Sequence, residues 1–407
     1  MGFRCAAIIW KVISLRRLPK ILLWSLPVLL FFLILSHNKA FRGGTDFKAY
    51  YLVSERLWRG ELIYNAQDPS AFKYAPITAY LFMPLALLDF DTAKLGFALI
   101  NGLVVWALPL IVLFSAMGGT LQALGYRKFM IALGLGLITA LRFIDNEFHS
   151  AQVNGLSLAF VLFGSAHLFR SRASRISRVI AMGLMGFGAL FKFHPLFSFG
   201  IFLKPKSWRW IVLIIGCVGG LVLFPDPRLW GVWLAHMKET TPYFEVRGSG
   251  LFQGFYPFFV QYFGTEPWGP WAPAAFLVCS IPVLILIPKI DLGALSSQSD
   301  TQQRLSFYLS LGALLLFAVT SSPLPWHHTY LPLWVFVPLS FLVAQGRAEK
   351  LILFASVAAI GLSSRGVVGR ELADWLEVRQ VIFLPTLALV FLLIHQSRRL
   401  APGVNRL

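Results

Sequence analysis

Apolar and polar stretches alternate along almost the whole chain. The apolar runs cover residues 21–36, 95–116, 129–143, 155–169, 179–203, 210–224, 272–288, 305–320, 330–344, 351–362 and 381–394. A helix of about 20 apolar residues crosses the ~30 Å hydrocarbon core of a bilayer, so the shorter runs need extension or tilt to span it. The pattern predicts an all-α, polytopic membrane protein without a soluble domain.

Composition supports this class and limits the partners. Of the 407 residues, 57% are hydrophobic and only 13% are charged, which is too few charges for a soluble domain. The net charge of +18 is carried by short Lys and Arg clusters between apolar runs, the positive-inside pattern of membrane proteins. We therefore expect membrane lipids and no nucleic acid as partners. Cys5, Cys217 and Cys279 have neither paired nor metal-type spacing, so no disulfide framework is predicted.

The basic clusters also predict the orientation. The densest cluster is expected in the cytoplasm together with the N-terminus and Arg398-Arg399, and consists of Arg170, Arg172, Arg175 and Arg178. The number of membrane crossings agrees with these positions if residues 75–88 form a half-helix at the outer surface and residues 179–203 form a hairpin that is broken near Lys192 and Pro195. About eleven or twelve transmembrane helices result, in a single domain over residues 1–407 of the plasma or inner membrane.

In this topology the long polar loops face the outside. They are the first extracytoplasmic loop, 37–88, the long loop, 225–271, and the shorter segments 145–154 and 321–328, and residues 329–407 supply the C-terminal helices. Polar residues within or close to the membrane usually line a cavity or pair with one another. We therefore expect a functional site on the extracytoplasmic side.

Asp46 begins a run of alternating character, Asp46-Phe47-Lys48-Ala49-Tyr50-Tyr51. The spacing predicts an amphipathic helix in the membrane interface. The residues expected at headgroup level are Phe47, Tyr50, Tyr51 and Trp58, and those expected to meet water or lipid phosphate are Lys48, Glu55 and Arg56. Asp46 itself is either an acid that acts on a lipid-borne substrate or an ordinary solvated carboxylate, and the loop alone favours the second interpretation.

Lys192 lies inside an apolar run of the sequence. An unpaired ammonium there costs roughly 2.5 to 3.5 kcal/mol on insertion scales. Pro195 indicates a broken helix that presents Lys192 to an outer cavity, and the alternative is a side chain that reaches the surface. His327 and His328 begin a helix, and we expect at most one of them to face a site.

Two further groups of polar residues have structural and functional interpretations. Asp145 and Glu147 either support the cavity or, with His149, bind a metal; the i, i+2, i+4 pattern is a weak metal signal, and structural roles are favoured. Gln152 and Asn154 begin a helix, where they either cap it and bond neighbouring helices or contact a sugar.

Several segments together resemble glycosyltransferase family 87. Its amino-terminal signature is similar to Asp46–Tyr51 followed by Gly60-Glu61-Leu62-Ile63-Tyr64, Phe72-Lys73-Tyr74-Ala75-Pro76 and Met83-Pro84-Leu85. Downstream, Ala151-Gln152-Val153-Asn154 resembles a Gly-Gln-Val-Asn element with alanine in place of glycine. Phe191-Lys192-Phe193-His194-Pro195 resembles a Lys-Xaa-Xaa-Pro element, and Ser322-Pro323-Leu324-Pro325-Trp326-His327-His328 resembles a Ser-Pro-Xaa-Xaa-Trp-His-His element.

The resemblance implies a GT-C fold and a transferase without a cofactor or metal. It would move a sugar, with mannose as the first candidate, from a polyprenyl-phosphate donor to a lipid-linked or cell-envelope glycan acceptor, with inversion. Asp46 matches the family's proposed base. The expected donor-phosphate residues are Lys192, His194, Trp326, His327 and His328, the expected sugar or acceptor contacts are Tyr50, Tyr74, Gln152 and Asn154, and the supporting acids are Asp145 and Glu147.

Two other functions are compatible with the same residues. Broken helices and an intramembrane Lys192 also suit a transporter or flippase of a lipid-linked or anionic substrate. Polar groups that continue to the cytoplasmic side would favour that reading. A scaffold that binds lipid-linked sugar without catalysis is the third possibility, and the retained set of Asp46, Lys192 and His327-His328 argues against it.

Overall fold

The computed structural model describes residues 18–65, 67–68, 71–117, 125–169, 175–192, 194–202, 212, 226, 228–240, 253–255, 257–258, 280–289, 301–322 and 327–401. These residues are predominantly helical and include no strand. The predicted all-α class is therefore confirmed.

The helices are named in chain order. They are α1 (Leu18–Arg42), α2 (Thr45–Arg59), α3 (Pro76–Phe82), α4 (Phe90–Met117), α5 (Tyr126–Ser150), α6 (Asn154–Leu168), α7 (Arg175–Phe191), α8 (Arg228–Thr240), α9 (Thr301–Thr320), α10 (Pro332–Val343), α11 (Gly346–Leu362), α12 (Arg365–Val368), α13 (Arg370–Val378) and α14 (Phe383–Leu400). Short 3-10 helices cover Met83–Leu87, His194–Phe202 and His327–Tyr330.

Within the described ranges, four helices are long and apolar enough to cross a membrane, namely α1, α4, α5 and α9. The pair α13 and α14, bent by 61°, can count as a fifth, and α6 is among the shorter apolar helices. The predicted polytopic membrane protein is thereby confirmed. The expectation of eleven or twelve helices stays a prediction.

The spans differ in how much protein surrounds them. In α9, 89% of the most apolar window is buried, against 17% in α1. The central helix α9 packs on α14, α4, α10 and His194–Phe202, whereas α1 packs on α4 and α5. Because α1 leaves Leu23, Leu30 and Ile34 exposed, this face is the one that lipid would cover.

Helical structure is interrupted at two places that help to form the candidate site. The helix α7 ends at Phe191, and the chain is not helical at Lys192 before the 3-10 helix begins at His194. Proline has no N–H to donate, and its ring clashes with the helical carbonyl four residues before it, which here is that of Phe191. Pro195 therefore explains why the α-helix ends at Phe191. This break at Lys192 was predicted and is confirmed.

The second interruption lies in the first loop. The helix α3 and the 3-10 helix Met83–Leu87 have seven and five residues, which together extend about 20 Å. That length is too short to cross a ~30 Å hydrocarbon core. The segment thus has the dimensions expected of a half-helix.

The helix α2 is the predicted amphipathic helix, but its aromatic face packs on protein. Phe47 and Tyr50 are 0% and 1% exposed, so the prediction that they lie at headgroup level is wrong. The reason is that α3 and α4 supply an apolar surface of their own. The Phe47 ring contacts that of Phe90 at 5.4 Å, and the Tyr50 ring stacks on Phe82 at 4.5 Å. Trp58, at the other end of α2, remains exposed.

Candidate functional site

Two glycines between α1 and α2 place Asp46. The backbone N–H of Gly44, which has a φ of 75°, donates to the carbonyl oxygen of His149 at 2.6 Å. A Cβ on Gly43 would lie 2.3 Å from the same oxygen, so a side chain there would force the backbones apart. The first turn of α2, with Asp46, is thereby fixed against the end of α5. Sequence reasoning missed this pair, although adjacent glycines directly before a helix are a readable signal.

A tight turn at the end of α5 carries Gln152. Ala151 has a φ of 53°, and the N–H groups of Ala151 and Gln152 donate to the carbonyls of Phe148 and Glu147. Left-handed backbone costs an L-residue roughly 1–2 kcal/mol and costs glycine almost nothing. This conformation gives a physical reason for the glycine in the element that Ala151 departs from.

Gln152 joins Asp46 to Lys192. Its Nε2 donates to Asp46 Oδ2, and its Oε1 accepts from Lys192 Nζ at 3.3 Å. Its carbonyl oxygen accepts from Asn101 Nδ2 at 3.2 Å, which orients the whole residue. The turn after α5 therefore connects the start of α2 with the break after α7. Asn101 was not identified from the sequence, although an amide inside the apolar run 95–116 is a polar residue of the kind that marks such sites.

Two buried tyrosines complete the wall around Gln152. The Tyr74 hydroxyl donates to Gln152 Oε1 at 3.4 Å and lies 3.1 Å from the Tyr50 hydroxyl. Lys192 Nζ lies 5.1 Å from the centre of the Tyr74 ring, a distance at which the ring face attracts a cation. Burial raises the pKa of Tyr50 and of Tyr74, so both remain neutral phenols near neutral pH and both can donate.

Glu147 stabilises the turn that carries Gln152. The residue is fully buried, and its carboxylate accepts from Asn154 Nδ2 at 2.7 Å and from the Gly155 N–H at 2.9 Å. The first N–H groups of a helix need such acceptors, and Val153, at the N-cap of α6, supplies none. Glu147 therefore caps α6 and holds residues 151–153 in place.

Besides its hydrogen bond to Gln152, Lys192 also interacts with charged and titratable residues. It interacts electrostatically with Asp46, Glu147, His194 and His328. His328 is buried, whereas the His327 ring contacts Phe143 at 6.2 Å, so the two histidines have different surroundings, as expected of adjacent residues. Trp326 lies outside the described residues.

Asp145 and His149 point to other partners. Asp145 forms an ion pair with Lys39 at 2.8 Å, which ties α5 to α1. His149 contributes its carbonyl to Gly44, and the carboxylate of Glu147 is used by α6. Among the residues that the structure describes, no group of three or more His, Cys, Asp or Glu is placed to hold a metal ion.

The arrangement brings two chemical capacities together. The half-buried carboxylate of Asp46 can accept a proton from a hydroxyl group. The ammonium of Lys192, one amide away, can bind an anion. A reaction in which a hydroxyl attacks and an anion leaves needs both groups at neighbouring positions.

Comparison with known families supports this chemistry. The model of glycosyltransferase family 87 matches residues 72–323, more than half of the chain. The match includes Tyr74, Glu147, Gln152 and Lys192, while Asp46 precedes it. No curated protein and no solved structure matches the chain.

Proposed function

Because the chain belongs to glycosyltransferase family 87 and is therefore a membrane glycosyltransferase, we propose that it uses a polyprenyl-phosphate sugar as donor. Mannose is our first candidate for the sugar. The acceptor is a lipid-linked or cell-envelope glycan on the extracytoplasmic side of the plasma or inner membrane. Residues 1–407 act as one membrane domain with the site in its outer half.

The observation that supports this most is the bridge from Asp46 through Gln152 to Lys192. It joins a residue of α2, in the first loop, to a cation at a helix break inside an apolar run. A donor with a prenyl chain in the bilayer and a phosphate at its edge matches these two levels.

The reaction follows from the two groups. A hydroxyl oxygen of the acceptor bonds to the anomeric carbon, and the bond from that carbon to the phosphate oxygen breaks. The hydroxyl proton passes to Asp46, and the electron pair of the broken bond leaves with the phosphate, which Lys192 and His328 stabilise. Attack opposite the leaving group inverts the anomeric configuration.

The remaining residues contact the substrates or hold the site in place. Tyr74, Gln152 and Asn154 contact the sugar or acceptor, and Tyr50 acts through its hydrogen bond to the Tyr74 hydroxyl. His194 and Trp326 complete the phosphate environment, while the His327 ring lies against Phe143. Glu147 positions the turn that carries Gln152, and Asp145 fixes α5 to α1.

The test is transfer by the purified protein in liposomes that contain polyprenyl-phosphate sugars and membrane glycan acceptors. A positioned general base contributes about 10²- to 10⁴-fold to a rate, so Asp46→Asn should lower turnover by at least about 100-fold. The matched control is Glu55→Gln, which neutralises a carboxylate on the same helix that pairs with Arg59 at 3.5 Å. This control should keep the wild-type rate.

Three outcomes would change the proposal. Wild-type turnover in Asp46→Asn would remove Asp46 as the base. Transfer from a nucleotide sugar, with none from any polyprenyl-phosphate sugar, would remove the donor class. Movement of intact lipid-linked sugar across the bilayer, insensitive to Asp46→Asn, would favour the transporter.

A further inference from the structure

Lys73 is a cation at the edge of the site to which the proposed reaction has given no role. Its backbone is held on both sides, because Phe72 and Tyr74 are buried and its carbonyl oxygen accepts from Trp233 Nε1 at 3.2 Å. Its side chain is exposed. A lysine on a fixed backbone at the rim of a site can turn its ammonium toward a ligand at little cost.

The charges around Lys73 indicate which ligand that is. Its ammonium interacts with the carboxylate of Asp46 and with the ammonium of Lys192. The residue after Lys73, Tyr74, donates its hydroxyl to Gln152 Oε1 at 3.4 Å, and its ring centre lies 5.1 Å from Lys192 Nζ. The backbone of Lys73 therefore lies beside the bridge at Gln152, and its charge belongs to the same site. His236, which hydrogen-bonds the Phe72 backbone, has its pKa lowered by burial and adds no charge near pH 8.

The proposed transfer removes the charge that these cations share. As the acceptor proton reaches Asp46, the carboxylate becomes neutral. At the same moment the phosphate gains the electron pair of its broken bond and changes from a singly charged diester to a monoester of about −1.5 to −2 charge at pH 7. Negative charge thus moves from Asp46 to the phosphate. The ammonium groups of Lys73 and Lys192 then have the phosphate, and no longer the carboxylate, as their anionic partner.

We propose, resting on the function above, that Lys73 is a second phosphate-binding residue, which stabilises the additional charge of the leaving polyprenyl phosphate. Lys192 binds the phosphate of the donor from the buried side, and Lys73 binds it from the exposed side once the second charge develops. Lys73 then discriminates the product phosphomonoester from the donor phosphodiester. The product phosphate contacts Lys73 last, as it leaves the site toward the membrane surface.

The test measures binding, so it does not depend on turnover. The probes are undecaprenyl phosphate and its methyl phosphodiester, bound at pH 8 to the protein in phosphatidylcholine nanodiscs. A hydrogen bond between charged groups corresponds to about 10- to 100-fold in affinity. The wild type should prefer the monoester by that factor, Lys73→Met should lose most of the preference, and Lys73→Arg should keep it.

The control is Lys350→Met, which removes an exposed lysine from α11 and should leave the preference unchanged. An undiminished preference in Lys73→Met would overturn the proposal. So would an equal loss of affinity for both lipids.

The two proposals fail separately. A monoester preference that depends on Lys73, without transfer from any polyprenyl-phosphate sugar, keeps the phosphate site and removes the proposed function. Transfer that proceeds while Lys73→Met retains the preference does the reverse.

Discussion

Two clusters of charged residues lie near the end of α5, and they are built differently. In the Gln152 cluster (Asp46, Tyr74, Gln152 and Lys192), a neutral amide joins the carboxylate to the ammonium. In the Glu377 cluster (Arg142, Gln253, Ser363 and Glu377), Arg142 and Glu377 are in direct contact, with side chains only 11% and 5% exposed. Ser363 and Gln253 complete it, the first as acceptor from Arg142 at 3.1 Å and the second as donor to the Glu377 carbonyl.

The difference separates structural charges from chemical ones. A buried ion pair in contact satisfies its own charges and ties α5 to α13, so it has little capacity left for a ligand. Charges joined through an amide keep lone pairs and N–H groups that a substrate can use. We therefore expect changes in the Glu377 cluster to affect folding, and changes in the Gln152 cluster to affect turnover.

The largest effect on stability is expected for Glu377→Ala. It leaves Arg142 buried without its partner, and breaking such a pair costs about 3–5 kcal/mol. The free energy of unfolding in detergent should fall by that amount, while the turnover of the folded fraction stays near wild type. The double variant Arg142→Met/Glu377→Leu should regain most of the stability, and a double variant as unstable as Glu377→Ala would contradict the structural role.

Gln152→Leu should have the next largest effect, on rate rather than on stability. Without the amide, Asp46 and Lys192 lose the group that fixes them relative to each other, and a misplacement of about 1 Å costs roughly 100-fold in rate. Combined with Asp46→Asn, it should add little to the loss from Asp46→Asn alone, since both act on one group. Fully multiplied losses in the double variant would show that Gln152 acts independently of Asp46.

The smallest effect is expected for Ala151→Gly. Relief of the left-handed backbone at φ 53° should raise the free energy of unfolding by about 1 kcal/mol. The control is Ala140→Gly, a buried position inside α5, where glycine should cost about 1 kcal/mol instead. Equal signs for the two substitutions would contradict the backbone account of the turn.

The sequence predicted what local patterns determine. Proline at position 195 predicts a helix break at Lys192, and the length of 75–88 predicts a segment too short to span. Periodicity also placed Phe47 and Tyr50 on one face of α2, but it does not indicate what covers that face. Here α3 and α4 cover it in place of lipid.

Contacts between distant segments escaped sequence reasoning. The bridge at Gln152 needs α2, the turn after α5 and the end of α7 to meet, and no local pattern reports such a meeting. The separate uses of Asp145 and Glu147 were more accessible. Residues at i and i+2 of a helix do not face the same way, which agrees with one acid bound to Lys39 and the other to α6.

The most direct test of the account is a structure of the protein with bound polyprenyl phosphate. We expect the phosphate to lie within hydrogen-bond distance of Lys192, near His328, with room for one sugar between it and Asp46. A head group out of hydrogen-bond reach of Lys192 and His328, or separated from Asp46 by protein, would contradict it.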